Sequence, residues 1–113
     1  MDKPLEVLKS ILGAFFKDEF YTDGVEHLRI ALSERQYYQE SWTEVIKFVI
    51  LNKLGHDEPL YLMDNYANVP LHENSNEEAY RWLILMIING GKNVGESILN
   101  YEDFLNPENV NTK

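Results

Sequence analysis

SNEEAYRWLILMIINGG, residues 75–91, spells out a helix together with both of its ends. Ser75 and Glu78 have the S/T-x-x-E spacing of a capping box, in which two side chains satisfy backbone N–H groups that a helix start leaves unpaired. Gly90 and Gly91 close the segment, as glycine does where a chain leaves a helix. The apolar run within it, Trp82 to Ile88, is only seven residues long, far short of a membrane span. Trp82 falls on the inward stripe.

The same start and stop signals recur on either side. Upstream, SWTE (Ser41 to Glu44) is a second capping box, and VIKFVILNKLG behind it is apolar on more than one face and stops at Gly55. This is expected to be the central buried helix. Asp57 then caps a shorter helix with Pro59 near its start and Leu60, Met63 and Ala67 facing inward, before Pro70 ends it. At the N-terminus, Asp2 caps, Pro4 suits a first turn, and Leu5, Leu8, Leu12, Phe15 and Phe16 share one helical face. A further helix starts at Thr22 or Asp23 and carries Val25, Leu28, Ala31 and Leu32 as its stripe. Gly24 inside it lowers helix propensity by about 1 kcal/mol. After Gly91 the chain supplies one or two short helical turns around Ile98, Leu99, Phe104 and Leu105, then a polar tail.

No alternating apolar and polar run of useful length suggests a strand, and no Asn-Gly or Asp-Gly pair joins two such runs. The expected fold is all-α, a single-domain bundle of five to seven helices over residues 1–106, with a polar tail at 107–113. A chain of 113 residues is large enough to bury about two-thirds of its unfolded surface as one core. Its 44% hydrophobic content and 14 aromatic side chains are those of a folded protein, since a disordered acidic chain is poor in both.

Cysteine is absent, which removes disulfides and thiolate chemistry. The start, MDKPLEVLKS, lacks the basic opening and continuous apolar run of a signal peptide, so a cytoplasmic protein is expected. Net charge is −9, which argues against direct nucleic-acid binding and favours a basic partner. That charge is unevenly spread. Residues 1–53 hold nine acids and seven lysines or arginines, while residues 54–113 hold ten acids and three. From Leu54 to Tyr80 there is no cation, yet Asp57, Glu58, Asp64, Glu73, Glu77 and Glu78 all fall there. A run of one sign over 27 residues forgoes the local ion pairs that a neutral solvated helix normally contains.

Catalytic motifs fail at their defining positions. His72 with Glu73 opens like H-E-x-x-H, but ENSN follows and no second histidine completes a metal site. Glu78 is accounted for by capping and Glu77 by the positive first turn of a helix. No serine sits in a glycine-flanked elbow, and His27 and His56 are isolated and read as surface or packing residues. GGKNVGES (90–97) lacks the G-K-[ST] of a phosphate loop and follows a helix, so it reads as a turn. Neither a cofactor nor an enzymatic activity is expected. An enzyme would need carboxylates of raised pKa in a closed pocket, which this pattern does not suggest.

Phe15, Phe16, Trp42, Phe48 and Trp82 lie on apolar stripes and belong to the core. Tyr37, Tyr38, Tyr61, Tyr66 and Tyr80 lie among polar residues, where a phenol offers contact area and a hydrogen bond. A partner-binding face is therefore expected from Asp57, Glu58, Tyr61, Asp64, Tyr66, Glu73, Glu77 and Tyr80.

The block from Ser41 to Leu83, SWTEVIKFVILNKLGHDEPLYLMDNYANVPLHENSNEEAYRWL, in a small, acidic, cysteine-free helical chain, resembles the immunity proteins of bacterial contact-dependent growth inhibition systems. The resemblance implies a cytosolic inhibitor that neutralises the C-terminal toxin domain of a large exported effector, often a nuclease. It carries over no individual residue. An acidic helical adaptor, or a nucleic-acid mimic occupying a basic surface on another protein, fits the same charge pattern.

Overall fold

The computed structural model describes residues 4–51, 58–67, 71 and 73–99, with the backbone alone at 36–38 and 58. The regular elements among them are all helical, and the fold is an all-α bundle. α1 (Pro4–Ile11) runs on into a π-helical segment, Leu12–Phe16. α2 (Tyr21–Glu34) and α3 (Gln36–Ile50) follow, separated by the extended residue Arg35. α4 (Glu58–Leu62) also widens into a π-helical segment, Met63–Ala67, and α5 is Asn76–Gly90. α1 lies on α3, α4 on α5, and α2 against both α3 and α5, while the two π-helical segments meet each other.

α5 begins where its capping residues place it. Ser75 Oγ accepts the N–H of Glu78 at 3.1 Å. The return half of the box is displaced: the buried Glu78 carboxylate accepts the N–H groups of Glu73 (2.6 Å) and Asn74 (3.1 Å) upstream of the cap. Asn74 takes a left-handed conformation, φ 54°, which asparagine tolerates. Trp82 is buried as expected. Phe16 meets its ring edge-on at 5.2 Å, and Tyr21 does so at 5.7 Å. Leu8, Leu12, Leu28, Val49, Met63 and Met86 extend the same core.

Gly24, unfavourable for a helix in isolation, is required by packing. A Cβ there would stand 2.5 Å from the Phe15 carbonyl oxygen and 2.6 Å from the Phe16 ring, so α2 crosses the π-helical end of α1 at a residue with no side chain.

Several boundaries differ from the sequence expectation. Ser41 and Glu44 do not cap α3, because the helix has already begun at Gln36 and both lie in its interior. Nothing in Gln36–Glu40 breaks a helix, so the S-x-x-E spacing there is incidental. Gln39 instead reaches back, its Nε2 donating to the Leu32 carbonyl at 2.7 Å, and so serves the end of α2. α3 ends at Ile50, ahead of Gly55, which lies outside the described residues, as do Asp2, Asp57 and Pro70. Thr22 and Asp23 are not caps: α2 starts at Tyr21, the N-cap position is Phe20, and Asp23 sits in the first turn, where its charge favours the helix dipole.

Residues 93–99 contain no helical turn at Ile98 or Leu99, because side chains of α2 and α5 strap this stretch down. Arg29, fully buried, donates from Nε to the Asn89 carbonyl (2.9 Å), from Nη1 to the Glu96 carbonyl (2.6 Å) and to Glu26 (3.1 Å), and from Nη2 to the Ser97 carbonyl (3.2 Å). Asn89 holds both backbone groups of Leu99, accepting its N–H at 2.9 Å and donating to its carbonyl at 3.0 Å. The segment is a tethered turn, in keeping with the reading of 90–97. Phe104, Leu105 and the polar tail lie outside the described residues.

Candidate partner-binding face

The two halves of the acidic stretch, near 60 and near 75, are joined by one side chain. Asn76, the first residue of α5, accepts the backbone N–H of Leu60 through Oδ1 at 2.9 Å. The beginnings of α4 and α5 are thereby fixed to each other. α4 and α5 also pack against each other.

Tyr61 is 51% exposed and rests against Tyr66, ring centroids 6.0 Å apart and planes inclined by 61°. Asp64 is exposed, and Tyr66 is half-buried against the core. On the α5 side, the side chains of Glu73 and Glu77 are 66% and 84% exposed. Tyr80 plays a different part: it is half-buried, and its hydroxyl donates to the Val49 carbonyl at 2.8 Å, tying α5 to α3. Glu58 opens α4 with its backbone alone described, and Asp57 and His72 lie outside the described residues.

The cation-free run does not stay cation-free in space. Arg81 lies 3.7 Å from a Glu73 oxygen and 4.0 Å from a Glu77 oxygen. Lys9, from α1, stands 5.3 Å from the centroid of the Tyr66 ring and 3.5 Å from Glu6. The Arg81 contacts are long, exposed and screened by salt, so they leave the Glu73 and Glu77 carboxylates available. At Lys9, loss of water disfavours the charged form, but the Glu6 carboxylate and the Tyr66 phenol outweigh it, and the ammonium titrates above the ordinary lysine value.

Sequence reasoning missed Lys9, Glu6 and Asn76. Asn76 carried a signal, an asparagine at a helix start, but nothing in the sequence links it to Leu60, sixteen residues away. Lys9 reaches Tyr66 because α1 packs against the π-helical segment Met63–Ala67, and no spacing rule anticipates that.

Among the described residues no group of three histidine, aspartate or glutamate side chains could hold a metal ion. One cleft of about 350 Å³ is bordered by Gln39, Trp42, Thr43 and the turn at 90–94, and another of about 450 Å³ by Phe15, His27, Ile30 and Glu34. Neither is lined by more than one carboxylate. His27 is exposed and lies 3.9 Å from Glu19. No helix among the described residues is long and apolar enough to cross a membrane. Comparison with family models, with curated protein sequences and with solved structures finds no match to the chain.

Proposed function

We propose that this chain is an immunity protein, binding and neutralising a cognate protein toxin in the bacterial cytoplasm. The toxin would be a basic nuclease domain at the C-terminus of a large exported effector. One observation carries the reading: exposed Tyr61, backed by Tyr66, stands with exposed Asp64, Glu73 and Glu77 on elements held together by the Asn76–Leu60 hydrogen bond. The resemblance of residues 41–83 to contact-dependent growth inhibition immunity proteins supports it.

The physical division of labour is simple. A channel that takes a nucleic-acid substrate is positively charged, so an acidic inhibitor is drawn to it and oriented by the field before contact. Tyrosines at the centre of the contact then set how long the complex lasts, since aromatic anchors dominate dissociation. Glu78 and Tyr80, committed to internal hydrogen bonds, serve the scaffold that presents this face.

The test is co-expression with the toxic C-terminal region encoded in the adjacent reading frame, followed by recovery of the complex. Rescue of growth from that toxin and from no unrelated one is the expected result. Failure to rescue, together with binding to several unrelated nucleic-acid-binding proteins, would replace this reading with that of a general nucleic-acid mimic.

A further inference from the structure

The pairing of Tyr61 with Tyr66 defines the chemistry of the group that the face receives. A cation already stands over one of the two rings: the Lys9 ammonium, steadied by Glu6, is 5.3 Å from the centroid of Tyr66. Tyr61, inclined at 61° to Tyr66 and half in water, has no cation over it among the described residues. The exposed carboxylate of Asp64 follows one turn later. Asn65 holds that turn closed by donating from Nδ2 to the Tyr61 carbonyl at 3.0 Å. An exposed phenol face beside a carboxylate is suited to a planar cation that stacks on the ring and hydrogen-bonds the acid at its edge.

We infer that Tyr61, Tyr66 and Asp64 form a receptor for an arginine side chain of the partner protein, with Lys9 as an internal cation occupying the neighbouring ring. A guanidinium is flat, weakly hydrated and forked. A lysine ammonium is a compact, strongly hydrated charge that gains less from the ring. The inference rests on the proposed function only in taking the partner to be a protein. The packing of α1 against the π-helical segment Met63–Ala67 places Lys9 beside Tyr66. Such segments frequently mark functional positions.

The full chain, labelled with fluorotyrosine, is titrated with a glycine-spaced peptide carrying two arginines and with its two-lysine counterpart, following the tyrosine resonances. The arginine peptide should shift Tyr61 and Tyr66, leave Tyr80 in place, and bind about threefold tighter than the lysine peptide. Tyr61→Leu should erase that difference without changing thermal stability, and Lys9→Gln, which uncovers the Tyr66 ring, should strengthen arginine binding. Equal affinity for both peptides, or shifts that bypass Tyr61 and Tyr66, would overturn the inference. Because no toxin enters this titration, arginine binding without toxin neutralisation would reject the proposed function and leave the receptor standing, and the converse separates them equally.

Discussion

Asn76 Oδ1 accepts the backbone N–H of Leu60 at 2.9 Å, so the first residue of α5 caps the start of α4. A helix of five residues has little stability of its own, and this bond fixes both its position and its direction. Asn76→Ala should lower stability by about 1 kcal/mol, the usual value of a lost cap. Asn76→Asp, which keeps an acceptor, should recover most of it. Chemical denaturation of the three proteins decides the matter, and equal midpoints would show the bond to be incidental.

Arg29 is a buried charge that serves three backbone carbonyls as well as Glu26. Arg29→Met keeps much of the volume but strips the Asn89, Glu96 and Ser97 carbonyls of their donor. A loss of about 3 kcal/mol is expected, with hydrogen exchange at residues 93–99 accelerated beyond that of the core. A loss below about 1 kcal/mol would mean that water replaces the guanidinium without difficulty.

Gly24→Ala reverses the usual sign of its substitution. In an open helix the change gains about 1 kcal/mol. Here the added methyl meets the Phe15 carbonyl at 2.5 Å and the Phe16 ring at 2.6 Å, so α2 must move off the π-helical segment Leu12–Phe16. A net destabilisation of about 2 kcal/mol is expected, and the lowered thermal midpoint should be accompanied by a changed Trp82 environment in fluorescence.

Burial holds the Tyr21 phenol in its neutral form and pushes its pKa well above the ordinary tyrosine range, against smaller opposing effects of the Asn89 hydrogen bond and the Arg29 charge. The folded state therefore keeps a proton that the unfolded chain releases. The stability this contributes is fully present below the unfolded pKa, near 10, and is lost as pH rises beyond it. Stability of the protein should fall more steeply above about pH 10 than that of Tyr21→Phe, although the variant starts lower by about 1 kcal/mol for the hydrogen bond lost from Asn89. Parallel curves for the two would refute the assignment.

Helix type was legible in the sequence because local signals agreed with the packing. Ser75, Pro4 and the stripe through Leu8, Leu12 and Phe16 all act as read. Boundaries failed where a chemical match had no packing role. Ser41 with Glu44 has the letters of a capping box, but the helix already runs through it. The buried polar strap had a signal that was passed over. Arg29 follows Val25, Leu28 and precedes Leu32 on the core-facing stripe, and Asn89 continues Trp82, Leu85 and Met86 in the same way. A polar residue at an inward position calls for a buried partner. Of the expected face, Tyr61, Asp64, Glu73 and Glu77 are exposed, while Tyr80 is committed internally. Proximity of Arg81 and Lys9 was invisible to a count along the chain, because only folding sets which charges are neighbours.

Rate of association with the toxin encoded beside this chain, measured by stopped flow at low and at moderate salt, tests the central claim most directly. Reversing Asp64, Glu73 and Glu77 to lysine should slow association by about tenfold at low salt, with the difference shrinking as salt rises. Arg81→Gln, which removes the cation beside Glu73 and Glu77, should speed it. An association rate and affinity unchanged by the triple reversal at low salt would contradict the account and place the contact surface elsewhere.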